Sequence, residues 1–186
     1  PTLIMKSGRE QKKAIEEICS IIGGPVSVEG VGETAEQMVK DGKEFAKWAP
    51  NVVVKIPMTA EGMKAVQRLK MEGISTNVTL VFSPSQALLA AKAGASFVSP
   101  FVGRLDDASE NGMQVVAEIA QIYANYGFET QIIVASIRHP KHVVDSAMLG
   151  AHIATMPPEI FEKLFKHPLT DKGIQLFAED YRKAQK

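Results

Sequence analysis

The sequence is poor in cysteine, with one in 186 residues, and a single thiol excludes an intrachain disulfide framework. Cys19 sits in the apolar helical pattern Ile15, Ile18, Cys19, Ile22, so it reads as reduced core packing in a protein expected to be cytoplasmic. Neither charge sign is in excess, with 21 basic against 21 acidic side chains. That balance argues against nucleic acid or a membrane surface as partner. No apolar run reaches the roughly 20 residues of a membrane-spanning helix. A glycine-rich dinucleotide fingerprint is also missing, because Gly30-Val31-Gly32 after the first expected strand is too short to cradle a phosphate pair, and no cofactor is expected.

What is present is alternation. With 45% hydrophobic residues the chain can bury a substantial core, and residues 1–186 read as one globular unit. Expected strands are Val26 to Val31, Asn51 to Met58, Thr76 to Phe82, Phe97 to Val102, Gln131 to Ile137 and His152 to Met156. Pro100 has no backbone N–H, so it must stand at a terminal or irregular position of its strand. Between the strands, helices are expected from Glu10 to Ile22, Thr34 to Trp48, Thr59 to Glu72, Ser83 or Ser85 to Ala93, Glu110 to Tyr126 and Pro140 to Leu149. Arg104-Leu105-Asp106-Asp107 reads as loop, and helices near Glu159 to Phe165 and Thr170 to Ala184 close the chain. Strand and helix in strict succession give a parallel sheet with right-handed crossovers, either open and doubly wound or closed as a (β/α) barrel.

Polar residues recur at one place on these strands. Ser27 and Glu29, Lys55, Asn77 and Thr79, Ser99, and Ser136 and Arg138 all lie in the later half of apolar runs. Paired ones are two apart and so share a face. In a parallel barrel the C-terminal strand ends meet at one mouth, where Glu29, Lys55, Asn77, Thr79, Ser99, Ser136 and Arg138 would gather. Lys55 closes the run Val52-Val53-Val54, and burial there disfavours the ammonium and favours the nucleophilic amine. An amine that attacks a ketone gives an iminium, an electron sink for breaking the adjacent carbon-carbon bond. Glu29, directly or through a water held with Thr79, is the expected proton shuttle. Arg138, Arg104 and Ser136 offer donors to a phosphate ester. The set points to an aldolase or transaldolase acting on a sugar phosphate.

These residues resemble a known family. Val52-Val53-Val54-Lys55-Ile56-Pro57, Thr76-Asn77-Val78-Thr79-Leu80-Val81-Phe82-Ser83, Ser99-Pro100-Phe101-Val102-Gly103-Arg104 and Ala135-Ser136-Ile137-Arg138 look like successive motifs of the transaldolase family, in particular its small subfamily, which includes fructose-6-phosphate aldolase. The resemblance implies an α/β fold, a (β/α)8 TIM barrel of the class I aldolase type, with Lys55 forming the Schiff base with a donor ketose. It implies that Glu29 and Thr79 serve the catalytic water, Asn77 and Ser99 the substrate hydroxyls, and Arg104, Ser136 and Arg138 the phosphate. Phe101 and Glu29 stand where aldolase-type members tend to carry Tyr and Gln. This favours dihydroxyacetone transfer, with fructose-6-phosphate aldolase as the alternative. Pentose phosphate chemistry, sugar-phosphate substrates and a homo-oligomer, pentamer or decamer, are implied as well.

The sequence departs from the family pattern at its start. Six strands are readable where the barrel needs eight, and the general acid or base aspartate expected on the first strand is not in the sequence. Pro1-Thr2 resembles the tail of the motif that ends the second strand. The expectation is an N-terminally incomplete barrel lacking roughly 30 residues, about one strand-helix-strand unit. A further alternative is a non-catalytic barrel fragment. His139 and His142 share a helical face but have no third ligand in view, so no metal is expected; His152 and His167 read as structural or solvated.

Overall fold

The computed structural model describes residues 7–185, so Pro1-Thr2 lies outside the described residues. Six strands, β1 (Val26–Glu29), β2 (Val52–Pro57), β3 (Thr76–Val81), β4 (Phe97–Pro100), β5 (Gln131–Val134) and β6 (Ile153–Ala154), pair in parallel in sequence order. Nearest-neighbour order throughout is the topology of a (β/α) barrel rather than of a doubly wound sheet, whose order reverses at a switch point. The sheet forms part of a TIM barrel; among the described residues β1 and β6 each pair on one side only. Pairing aligns Glu29 with Lys55 and Lys55 with Asn77, which sets three polar residues side by side across β1, β2 and β3.

Helices α1 (Gln11–Ile21), α2 (Ala35–Phe45), α3 (Ala60–Met71), α4 (Pro84–Ala93), α5 (Val102–Asp107), α6 (Gly112–Tyr126), α7 (Pro140–Met148), α8 (Pro158–Lys163) and α9 (Pro168–Ala184) fill the connections. Their starts follow capping chemistry. The side chains of Thr34, Thr59, Ser83, Asn111 and His139 each accept a backbone N–H of the first turn, and Thr34 with Gln37 makes a reciprocal capping box. His167 caps α9 in the same way, so the helix starts at Pro168 rather than Thr170. His152 Nδ1 accepts from Ile132 N–H at 3.1 Å, a structural role.

The strand residues facing the helices are Val54, Ile56, Val78, Val98, Ile132 and Val134. They meet Val66 and Leu69 of α3, Ala87 and Ala90 of α4, and Val116 and Ile119 of α6 in one buried cluster. Each Val, Leu and Ile among them contributes about 1.5–3 kcal/mol by leaving water. Cys19 packs beside a second, smaller cluster of Ile15, Val28 and Val52, and burial raises its pKa. It is a packing thiol, as its helical pattern implies.

Two expectations need correction. Residues 102–107 are helical, not loop. β4 stops at Pro100; the Phe101 and Val102 N–H groups then bond to Val81 O and Ala135 O, and the chain turns directly into α5. Pro100 therefore takes the terminal position that its missing donor requires. The strands β1, β5 and β6 are also shorter than the apolar runs suggest, ending at Glu29, Val134 and Ala154. In β3 the register with β4 shifts between Val78 and Val81, and Leu80 takes φ 59°, a left-handed conformation unusual for leucine.

Candidate active site

Strand register builds the first half of the site. Glu29 ends β1 and Lys55 stands opposite on β2, with Lys55 Nζ 3.5 Å from Glu29 Oε2. Both side chains are about one quarter exposed, at 26% and 24%. Lys55 is thus half-buried and paired rather than sealed in the core, since the inner face of its strand opens on a cavity. Asn77 lies next across the sheet; it donates from Nδ2 to Ser27 Oγ at 3.1 Å and accepts from Ser99 Oγ at 2.8 Å. This chain spans β1, β3 and β4 and fixes the amide orientation of Asn77, which is 3% exposed. Gln11 Nε2 donates to the Glu29 backbone carbonyl at 3.0 Å and ties α1 to the end of β1. Thr79 Oγ1 is buried and has no protein hydrogen-bond partner among the described residues.

Ser27, Lys55, Asn77, Ser99, Phe101 and Thr155 line a cavity of about 340 Å³. A larger hollow of about 550 Å³ lies at the opposite end of the strands, among the turns at Gly73, Gly94 and Gly127. The Lys55 cavity runs along the inner face of the sheet, from Val26 and Phe97 at the strand starts to Phe101 and Thr155 past the strand ends, where barrel chemistry collects, so it is the candidate.

The second half of the site is held by backbone contacts. Val102 N–H bonds to Ala135 O at 3.1 Å and Gly103 N–H to Ser136 O at 3.0 Å, fastening the start of α5 to the chain leaving β5. A Cβ on Gly103 would fall 2.1 Å from Ser136 O and 2.6 Å from Arg138 Cγ, so only glycine admits this approach. Ser136 has φ 59°. Arg104 places its guanidinium 4.8 Å from the Phe101 ring centroid, and Arg138 Nη2 donates to Asp107 Oδ2 at 2.7 Å on the exposed rim. Arg138 N–H donates to His142 Nδ1 at 3.3 Å, and His142 Nε2 lies 2.8 Å from Asp106 Oδ2. Burial holds the His142 pKa below its ordinary value; neighbouring His139 lowers it further, while Asp106 opposes both.

Asp106 is the third group that the sequence did not bring near the two histidines: possible ligand atoms of Asp106, His139 and His142 lie within 4.8 Å of one another. The donor set nevertheless does not suit a metal ion. His142 Nδ1 accepts from Arg138 N–H, so the neutral ring carries its proton on Nε2, the nitrogen facing Asp106. His139 Nδ1 likewise accepts, from His142 N–H at 3.4 Å. Each ring's inward lone pair is already engaged.

A family model described as Transaldolase/Fructose-6-phosphate aldolase matches residues 8–186. The chain is 60% identical over 183 residues to a probable transaldolase of Aquifex aeolicus (strain VF5), covering 98% of this chain and 84% of that protein. It is 60% identical over 181 residues to a probable transaldolase of Methanococcus maripaludis (strain C7 / ATCC BAA-1331), covering 97% and 84%. With a probable transaldolase of Clostridium perfringens (strain 13 / Type A) it shares 57% over 184 residues, covering 99% and 86%. The chain belongs to the transaldolase/fructose-6-phosphate aldolase family.

For a family of aldolase- and transaldolase-type enzymes, the geometry gathers Glu29, Lys55, Asn77 and Ser99 at one mouth, with Phe101 on the cavity wall. Thr79 shares the Asn77 face of β3 but is not part of that cavity wall. Ser136, Arg138 and Arg104 lie farther round, on the segments leaving β5 and β4. Sequence reasoning noted Ser27 in the polar pattern without giving it a role; its two-residue offset from Glu29 was the available signal. Gln11 and Asp106 gave none, because each acts through a partner distant in sequence.

Proposed function

We propose that this chain is a transaldolase, moving a dihydroxyacetone unit from a ketose phosphate such as sedoheptulose 7-phosphate or fructose 6-phosphate to an aldose phosphate such as glyceraldehyde 3-phosphate or erythrose 4-phosphate. The observation that carries the reading is Lys55 at the C-terminal end of an apolar strand with the Glu29 carboxylate 3.5 Å away. Lys55 must first give up a proton, and Glu29 is the carboxylate placed to receive it. The amine then adds to the C2 carbonyl and the carbinolamine loses water; as C3–C4 breaks, its electron pair passes to the iminium, the C4 hydroxyl gives up its proton, and C4 leaves as the aldehyde carbon of the first aldose phosphate. The resulting enamine attacks the acceptor aldehyde, and hydrolysis frees the new ketose and the lysine. Thr79, whose buried hydroxyl has no partner among the described residues, suits a water on this path. Asn77 and Ser99 face the substrate hydroxyls, and Arg104, Ser136 and Arg138 receive the phosphate.

Borohydride added during incubation with fructose 6-phosphate should fix the reduced ketose on the peptide holding Lys55, read by mass spectrometry. Label on another lysine would overturn the assignment. Turnover that depends on an aldose phosphate acceptor separates transfer from aldol cleavage; release of glyceraldehyde 3-phosphate without acceptor would assign fructose-6-phosphate aldolase instead. The same reading includes a homo-oligomer, supported by the exposed apolar side chains Leu169, Ile174, Leu176, Phe177 and Tyr181 on α9. No helix among the described residues is long and apolar enough to cross a membrane.

A further inference from the structure

Arg138 stands on a segment with little support of its own. Its guanidinium is more than half exposed, and its ion pair with exposed Asp107 is of a kind that contributes little. What fixes its backbone comes from outside that segment. His142, 4% exposed on α7, accepts the Arg138 N–H on Nδ1. The Nε2 of the same ring meets Asp106 on α5, and the other carboxylate oxygen of Asp106 accepts Gly112 N–H at 3.1 Å. The imidazole thus bridges the start of α6, the end of α5 and the Arg138 backbone. Gly103 presses against the Arg138 stem from the remaining side.

We propose that His142 and Asp106 are positioning residues that hold Arg138 in the orientation in which it grips the substrate phosphate. The inference rests on Arg138 being a phosphate ligand, as proposed above. Asp106 fixes the ring so that its only acceptor nitrogen meets the Arg138 N–H. Without that acceptor the peptide can rotate, and the planar fork no longer meets the phosphate oxygens in register.

Two replacements of one residue separate this role from packing. His142→Asn leaves an amide oxygen near the place of Nδ1, whereas His142→Gln carries its oxygen toward the place of Nε2 and leaves the Arg138 N–H unpaired. With the full-length protein, His142→Gln should raise KM for fructose 6-phosphate about tenfold, with kcat and borohydride trapping of unphosphorylated dihydroxyacetone little changed. His142→Asn should stay within about threefold of the parent. Asp106→Asn, at a partly exposed position, keeps the shape and the acceptor oxygen while losing the charge; it should shift KM in the same direction as His142→Gln and by less, and serves if either histidine variant fails to fold. Equal KM effects from Asn and Gln, or losses equal for phosphorylated and unphosphorylated substrates, would overturn the positioning role. Arg138→Lys is the control: unchanged KM for fructose 6-phosphate in that variant would refute the phosphate reading itself, whereas a raised KM there with a silent His142→Gln would refute only the positioning.

Discussion

The two halves of the mouth are built by different means. Glu29, Lys55 and Asn77 stand side by side on β1 to β3 through parallel register, and Ser99 on β4 joins them by side chain meeting side chain, in the Ser27–Asn77–Ser99 run. Arg104, Ser136 and Arg138 lie beyond the strand ends, where no ladder fixes the chain. They depend on Gly103 against Ser136, on a left-handed Ser136 and on the imidazole of His142. In the strand half β2, β3 and β4 each pair on both sides and are covered by helices. The rim half is as rigid as a handful of named contacts allow. Substitutions in the first half should therefore remove chemistry and spare the fold, while those in the second should trade binding against stability.

The largest effect expected is at Lys55. Lys55→Ala should abolish trapping and lower kcat by about a thousandfold or more, with a melting temperature little changed, since the ion pair is long, at 3.5 Å, and its groups are still one quarter exposed. A clear loss of stability would place Lys55 in the structural framework instead. Gly103→Ala comes next: a Cβ 2.1 Å from Ser136 O forces α5 away from the β5 exit, and a destabilisation of about 2–4 kcal/mol in urea unfolding is expected. Thr79→Val removes a buried hydroxyl that no group among the described residues satisfies, so stability should hold or rise by up to about 1 kcal/mol while kcat falls about a hundredfold. Unchanged kcat would take Thr79 out of the mechanism. Arg138→Lys keeps the charge and loses the fork, and should raise KM for phosphorylated substrates about tenfold while leaving dihydroxyacetone trapping alone.

The smallest effect is one of pH. Burial lowers the folded pKa of His142 from its ordinary 6.5; His139 adds to that, Asp106 and Asp145 act against it, and the Arg138 N–H faces Nδ1. In the window below 6.5 the unfolded chain binds the proton more readily than the native one, so stability rises with pH there. The contribution is complete above that value and is lost as pH falls through the lower folded pKa. Thermal unfolding between about pH 7.5 and 5 should show a steeper acid loss for the parent than for His142→Asn. Parallel curves would mean that His142 titrates alike in both states.

Much of the strand half was legible in advance. Val52-Val53-Val54 before Lys55, and the two-residue offsets of Ser27 with Glu29 and Asn77 with Thr79, assign both a strand and a face, because side-chain period is fixed by the pleat. Helix starts at Thr34, Thr59 and Ser83 follow from capping groups carried in the local sequence. The 102–107 helix was missed for the opposite reason. Six residues after a proline show no full amphipathic period, and the first two N–H groups, of Val102 and Gly103, find their partners on the chain leaving β5.

By itself the sequence determined the alternation of strands and helices, the parallel sheet, the polar row at the strand ends and the placing of Lys55 among them. Each of these depends on a period of two or 3.6 residues, or on a cap within a few positions. Tertiary structure alone decided that Asp106 meets His142, that Gln11 holds the Glu29 carbonyl, that Lys55 is half-buried and paired, and that the segment after β5 is held from three sides. Those outcomes depend on contacts between residues far apart in the chain, whose distance and direction are set by how helices stack on the sheet, and no local pattern encodes them.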